Sequence, residues 1–291
     1  MIITRKHYTL SLPNRHLILG KRTLVMGVLN VTPDSFSDGG KFLDIEKAIV
    51  RGLEIESEGA DILDIGGESS RPNSDPVTVA DELKRVLPVI EGLKGRLKIP
   101  ISIDTYKSEV ARQALVRGAE LVNDISALRF DEKMSKVVAE SGAAICLMHM
   151  RANPKTMQQI SPSNGIWQEI QKDLSFAIDQ ALVAGVKPQQ IILDPGIGFG
   201  KTLSDNLNIL ANASYLGKFD LPILIGTSRK SFIGQVLNNL EADRLIGTAA
   251  SVTAAILQGT HIVRVHDIAQ MVEVAKISDA IVGAGLCVNP L

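Results

Sequence analysis

Ionisable and amide side chains stand at the ends of buried apolar runs throughout this sequence. Leu24 to Leu29 stops at Asn30, and a run carrying Asp64 passes into Glu68-Ser-Ser-Arg-Pro72. Others end at Asp104-Thr105, Asn123-Asp124, Met148-His149-Met150 and Asp194-Pro-Gly-Ile-Gly-Phe-Gly-Lys201. The last two end at Thr227-Ser228-Arg229-Lys230 and Arg264-Val265-His266-Asp267. After Asn30 come turn formers and oxygen donors, Pro33, Asp34, Ser35, Asp38, Gly39 and Gly40. Such a loop can fold over an anion and its metal.

The mixture suits a ligand with two unlike ends. A carboxylate accepts two parallel N–H bonds from a 2-amino-pyrimidinone as it does from arginine. Asp104 and Asp194, with the Asn123 amide, therefore suit a heterocycle edge. Arg71, Arg264 and His266 offer donors to phosphate, and Asn30 a hard oxygen for a metal. Helix N-termini at the same rim add backbone donors. Lys230 stands between the two ends as a point charge. No Ser-His-Asp order, cysteine nucleophile with base, or three-ligand zinc spacing is visible.

Each residue also has an ordinary reading. Asp267 can cap a helix, Asp64 and Asp124 can brace loops, and His149 can be a satisfied core histidine. Glu68 can hold its loop through Arg71 or backbone donors. A purely structural fold has no need to gather so many like charges at one mouth.

The elements that must carry these residues form a repeating pattern. Strand candidates are Leu24–Asn30, Asp61–Gly67, Pro100–Thr105, Leu121–Ser126, Ala143–Met150, Gln190–Gly196, Pro222–Ser228 and His261–Asp267. They are nearly continuous apolar runs, as strands buried on both faces are. Helical stripes lie between them, such as Ile45, Ala48, Ile49, Gly52 and Leu53, or Ile166, Ile170, Leu174, Ile178 and Leu182. Thr78 with Asp81 reads as a capping box, Asp243 as another cap, and Pro88 as a kink. Eight strand–helix units with right-handed crossovers predict an α/β fold, a (β/α)8 TIM barrel. The alternative, an open doubly wound sheet, lacks its Gly-x-Gly-x-x-Gly signature here. An N-terminal β-hairpin is expected at about residues 7–20, covering the barrel's N-terminal opening. No linker interrupts the chain, so a single domain over 1–291 is expected.

Composition narrows the partners. With 31 basic and 32 acidic residues, net charge −1 and 4% aromatics, the chain has no nucleic-acid platform or polybasic membrane tract. The uncharged stretch Ile246 to Val263 is broken by Gly, Ser, Thr, Gln and His, and reads as a helix running into a strand rather than a membrane span. Cys146 and Cys287 lie in apolar stretches, as buried thiols of a reducing compartment do. Charges near the N-terminus replace the apolar core of a signal peptide, so a cytoplasmic protein is expected.

Six motifs together carry a resemblance from Met26 to Asp267. They are Asn30-Val-Thr-Pro-Asp-Ser-Phe-Ser-Asp-Gly-Gly, Asp64-Ile-Gly-Gly-Glu-Ser-Ser-Arg-Pro, Leu147-Met-His-Met with Asn153-Pro-Lys-Thr-Met, Asp194-Pro-Gly-Ile-Gly-Phe-Gly-Lys, Ser228-Arg-Lys-Ser and Arg264-Val-His-Asp. The chain resembles the dihydropteroate synthase family of pterin-binding barrels. The resemblance implies a transferase that joins (7,8-dihydropterin-6-yl)methyl diphosphate to 4-aminobenzoate, giving 7,8-dihydropteroate and diphosphate, with Mg2+. It implies a homodimer and inhibition by sulfonamides.

Carried over from the family, Asp104, Asn123, Asp194, Lys230 and Met148 would grip the pterin. Asn30, Arg71, Arg264 and His266 would meet the diphosphate, Asn30 also holding the metal. Phe36, Asp38, Ser70, Arg71, Pro72, Phe199 and Ser228 fall on the aminobenzoate pocket and its loops. Lys230, Asp104, Arg264 and His266 would be the catalytic group. Ser70, Tyr106 and Ile197 depart from residues common in the family. Two other readings share part of the pattern: a pterin-binding methyltransferase-like barrel and a non-catalytic pterin-binding protein. The first has no use for the diphosphate motifs, and the second has no need of every donor.

Overall fold

Short apolar runs alternate with amphipathic ones, and each run becomes a strand or helix close to where its pattern begins and ends. In the computed structural model the described residues are 3–32, 41–69, 75–151 and 165–287, the side chains of 41–44 and 284–287 excepted. Two antiparallel strands, β1 (Tyr8–Ser11) and β2 (His16–Leu19), form the expected hairpin. The main sheet contains β3 (Leu24–Asn30), β4 (Ile62–Gly66), β5 (Ile101–Asp104), β6 (Ala119–Asp124), β7 (Ala144–Met148), β8 (Ile191–Asp194), β9 (Leu224–Ile225) and β10 (Ile262–Val265).

Its strands are all parallel, in the order β8-β7-β6-β5-β4-β3-β10-β9. A parallel bridge from Leu193 to Ile223, just ahead of β9, brings the two edges together. The sheet is thus a nearly closed barrel. Helices α1 (Lys41–Ser57), α2 (Val79–Leu93), α3 (Ser108–Arg117), α4 (Met134–Ser141), α5 (Ile166–Val183) and α6 (Leu203–Ala211) lie between its strands. α7 (Ser231–Val236) and α8 (Leu245–Leu257) both follow β9, and α9 (Ile268–Cys287) follows β10. Among the described residues these are the expected (β/α)8 units with one helix more.

The inward residues of the lower barrel are apolar. Met26, Ile62, Leu121, Ala144, Cys146, Ile192, Leu224 and Ile262 pack with Leu10, Leu12 and Leu19 of the hairpin. The hairpin therefore plugs the N-terminal opening. Two residues further along a strand the side chains point the same way again, and on four strands they are there polar: Asp64, Asn123, Asp194 and Arg264, while on β3 Val28 precedes Asn30. A second, larger apolar cluster fills the space between the sheet and the helices.

Several local expectations shift. β9 is only Leu224–Ile225 rather than the whole of Pro222–Ser228, and β6 begins two residues early at Ala119, after a register shift beside Ile101 and Ser102. Thr78 caps α2 by accepting from Asp81 N at 3.1 Å, but the Asp81 carboxylate bonds the Thr78 hydroxyl, 2.7 Å, so the box closes side chain to side chain. α2 runs on through Pro88. Asp243 accepts from Leu245 N at 3.0 Å, standing one residue ahead of the helix boundary. Cys146 is a buried free thiol, and burial pushes its pKa up.

Candidate active site

Sheet register assembles the rim. Asn30 lies beside Gly66, Gly66 beside Asp104, and Asp104 beside Asn123, so three polar side chains share one row. Gly66 leaves the row open. A Cβ there would lie 3.5 Å from Asp104 Cβ and 3.8 Å from Asn30 Oδ1. On the far side, Met148 is paired with Asp194.

Arg264 joins the two sides. Its Nε donates to Asp64 Oδ2 and its Nη2 to Asp104 Oδ2, each at 2.6 Å. Asn123 Nδ2 donates to the same Asp64 oxygen at 3.1 Å. The other oxygen, Asp64 Oδ1, is buried without a protein partner. Asp64 is thus the hub of Asn123, Arg264 and, through Arg264, Asp104. Of the two residues expected to brace loops, only Asp124 does so, accepting from the Ser126 and Leu128 backbones.

Lys230 follows β9 and crosses to the β8 loop. Its ammonium donates to the Ile197 carbonyl and lies 4.7 Å from the Phe199 ring centre. Gly226 leaves space that a Cβ would fill within 4.0 Å of Lys230 Nζ and 3.6 Å of Arg264 Cβ. Asp194 accepts from Gly196 N at 2.6 Å, and Gly196 sits at φ +68°, in the left-handed region open to glycine. A Cβ at Gly196 would meet the His149 carbonyl oxygen at 2.0 Å. The β8 loop can therefore turn here only with glycine. Ser228 Oγ meets His266 Nδ1 at 3.0 Å and accepts from His266 N at 3.2 Å.

The charges are mutually tuned. Burial, with Asp64 nearby, pushes the Asp104 carboxyl up to about 7 against the pull of Arg264. Burial raises Asp194 as well, against Lys230 and Gly196 N–H. Burial lowers Lys230 to about 8, with Asp194 pulling the other way. Burial also opposes the Arg264 charge, yet Asp64 and Asp104 hold its pKa above the ordinary value. Such opposed shifts concentrated at one mouth mark a site built for charged ligands.

Among the described residues the structure brings together Asn30, Asp104, Asn123, Met148, Asp194, Phe199, Ser228, Lys230, Arg264 and His266. Phe36, Asp38, Ser70, Arg71 and Pro72 lie outside the described residues. Sequence order alone does not single out two further residues. Asp64 lies before its strand end, and only its inward parity marks it. Lys201, whose ammonium donates to the carbonyls of His149 and Phe199 at 3.1 and 3.2 Å, was read only as part of a motif; burial lowers it to about 7. Among the described residues no group of three or more His, Cys, Asp or Glu could hold a metal ion. No described helix is long and apolar enough to cross a membrane.

The family model for pterin binding enzymes matches residues 26–266, from within β3 to the residues just after β10. The chain belongs to this family. Within it the chain is 47% identical to a dihydropteroate synthase of Synechocystis sp. over 263 residues, 90% of this chain and 91% of the relative. A solved dihydropteroate synthase from Clostridium difficile, crystallised in the presence of pteroic acid, is 45% identical with a TM-score of 0.85, over 90% of this chain and 98% of that one. A Yersinia pestis dihydropteroate synthase in a sulfonamide drug complex is 40% identical with a TM-score of 0.88, over 95% and 99%. The activity is dihydropteroate synthase, a transferase of folate biosynthesis.

Proposed function

We propose that the barrel mouth joins (7,8-dihydropterin-6-yl)methyl diphosphate to 4-aminobenzoate through the residues of the Asn30–Asp104–Asn123 row and the cations facing it. The observation that carries this reading is the Asn123–Asp64–Arg264–Asp104 chain of hydrogen bonds, with Asp194 and Lys230 on the opposite side. Asp194 and Asn123 bind the 2-amino-pyrimidinone edge, and Asp104 sits by its ring. Met148 and Phe199 supply apolar faces. Sulfonamides, as arylamines, compete for the 4-aminobenzoate site.

The reaction breaks the methylene C–O bond, whose electron pair leaves with diphosphate. The amine lone pair forms the C–N bond, and its surplus proton passes to solvent. An arylamine is neutral near pH 7, so no strong base is required. The electron-rich dihydropterin releases charge toward the methylene as the bond breaks. Asp104 and Asp194 then favour the positive ring, while Arg264 and His266 favour the departing anion.

Asn30 Oδ1 is a hard oxygen that would take one place around magnesium, with substrate phosphate oxygens and waters filling the others. Bound there, Mg2+ would neutralise charge on the leaving diphosphate. A homodimer belongs to the same proposal: Val236, Leu237, Leu240, Ile246, Ile277 and Ile281 expose apolar surface from α7 to α9. The chain acts as a single domain over 1–291, in the cytoplasm, on small molecules.

Calorimetry of pterin binding tests the assignment. Asp194→Ala should remove a charge-assisted bond of about 1.5–3 kcal/mol and weaken pterin binding about 10- to 100-fold. Unchanged affinity in a folded variant would overturn the role of Asp194.

A further inference from the structure

The parallel ladder between β9 and β10 is short. It pairs Leu224 with Ile262 and Ile225 with Val263, and the rim residues Ser228, Lys230 and His266 stand beyond it. There the register is continued by side chains. Gly226 lies beside Arg264, where a Cβ would come 3.6 Å from Arg264 Cβ. Ser228 Oγ meets His266 Nδ1 at 3.0 Å and accepts from His266 N at 3.2 Å. Arg229 reaches Asp267, its Nε donating to Oδ2 at 3.0 Å and its Nη2 to Oδ1. The partners in both side-chain contacts are 38 residues apart, the same offset as in the sheet. Two loops that have left the sheet are thus held in step.

Arg229 is the strained rung. Its φ is +58°, in the left-handed region where a non-glycine residue is uncommon. Three attachments hold it there. Its N–H donates to Thr248 Oγ1 of α8 at 3.1 Å, its carbonyl accepts from Arg244 Nη1 at 2.8 Å, and its guanidinium bonds both Asp267 oxygens. Glycine would take this conformation without a Cβ penalty. An arginine held there by its surroundings points to a use for the side chain. Stability is not that use. The Arg229 side chain is 58% exposed, and an ion pair so open to water adds little to folding. Asp267, expected from sequence as a helix cap, gives both carboxylate oxygens to Arg229. The pair is flanked by Lys230, which follows Arg229, and His266, which precedes Asp267.

We propose that Arg229 and Asp267 are positioning residues that fix Lys230 relative to His266 across the barrel mouth, so that ring and leaving group are met in one geometry. The proposal rests on the reading of Lys230 and His266 as groups that face the substrate. Neither Arg229 nor Asp267 need touch substrate. The pair acts on the bond-breaking step, because there the charges developing at the ring and on the diphosphate must be stabilised together. Misplacing such a group by about 1 Å costs about 10²-fold in rate.

Steady-state kinetics and thermal unfolding of Arg229→Gly, Asp267→Asn and the double variant test this, with Lys230→Met as the reference. Arg229→Gly keeps the backbone bonds to Thr248 and Arg244 and removes the side chain. It should lower kcat about 10- to 100-fold, while the melting midpoint moves by about 4 °C or less. Asp267→Asn should do the same. The double variant should be no slower than the slower single one, because both act through one bond. A merely structural role would lower the midpoint and leave kcat where it was, and that result overturns the proposal. Losses that multiply in the double variant, or a loss in one single variant without the other, overturn it as well. If Lys230→Met lowers kcat but neither Arg229→Gly nor Asp267→Asn does, the positioning pair is wrong and the reading of Lys230 stands. If Lys230→Met leaves kcat unchanged, that reading falls and the proposal with it.

Discussion

Arg264 Nη2 lies 2.6 Å from Asp104 Oδ2 although β3 and β4 stand between their strands in the sheet. The bond crosses the barrel mouth. The residue expected to serve the diphosphate thus touches a residue expected to serve the pterin. Removing this cation also changes the field at Asp104.

Arg264→Met should therefore lower kcat/KM by about 10²–10³, the scale seen when one preorganised donor is lost. It should also raise the Asp104 pKa further, because Arg264 opposes the upward push of burial. The check is steady-state kinetics together with the titration of the Asp104 carboxyl. Turnover within a few-fold of the native chain would remove Arg264 from the mechanism.

Asp64→Asn tests the hub. Asp64 is fully buried and accepts from both Arg264 and Asn123. Its loss leaves Arg264 with Asp104 alone, so destabilisation should be about 3 kcal/mol, the lower end for a broken buried pair. Urea unfolding measures it. Asn123 also loses its anchor, so KM for the pterin substrate should rise, and a variant that loses stability with that KM unchanged makes Asp64 a packing residue.

Acid should weaken the fold through two histidines. Burial holds His261 and His149 at about 4. His261 Nδ1 accepts from Ile223 N at 3.1 Å, while Nε2 faces the Lys6 carbonyl at 3.0 Å, so the neutral ring is satisfied on both sides. Between the ordinary value of 6.5 and about 4 the unfolded chain binds more protons than the folded one, so stability falls as pH falls through that window. Replacing His261 by Gln should reduce the slope of unfolding free energy against pH there by about one proton. An unchanged slope from pH 6.5 to 4 would contradict a neutral His261.

The hairpin plug is a matter of stability alone. Leu10 is buried against inward residues at the bottom of the barrel, at the opposite end from the rim. Leu10→Ala should cost about 2–5 kcal/mol in urea unfolding and leave both KM values unchanged. A changed KM would mean that the plug reaches the site.

Most of this arrangement was legible in the residues. Buried runs closing in Asn30, Asp104, Asn123, Asp194 and Arg264 predict one rim, because parallel strands of a barrel end on the same side. Asp64 was misread for a definable reason. It sits two residues ahead of its strand end, but it has the same parity as Ile62, which packs on the plug, so period two places it inward. Its partnership with Arg264 spans 200 residues and depends on sheet order, which local patterns do not encode. The short β9 failed for a different cause. Pro222 lacks an N–H, so the barrel closes through its carbonyl to Leu193 N, 2.9 Å, and through the single Leu193–Ile223 bridge. The anchoring of Glu68 was half visible. Glu68 was expected to hold its loop through Arg71 or backbone donors: Val77 N is such a donor, Tyr106 and Lys107 join it, and Arg71 lies outside the described residues.

The central claim is transfer of the pterinylmethyl group at the Asp194–Arg264 rim. The most direct measurement is diphosphate release from (7,8-dihydropterin-6-yl)methyl diphosphate with Mg2+, followed against 4-aminobenzoate concentration in the native chain and in folded Asp194→Asn. Release should rise saturably with 4-aminobenzoate, give one dihydropteroate per diphosphate, and be lost in the variant. Release indifferent to 4-aminobenzoate, or an undiminished rate in Asp194→Asn, would contradict the account.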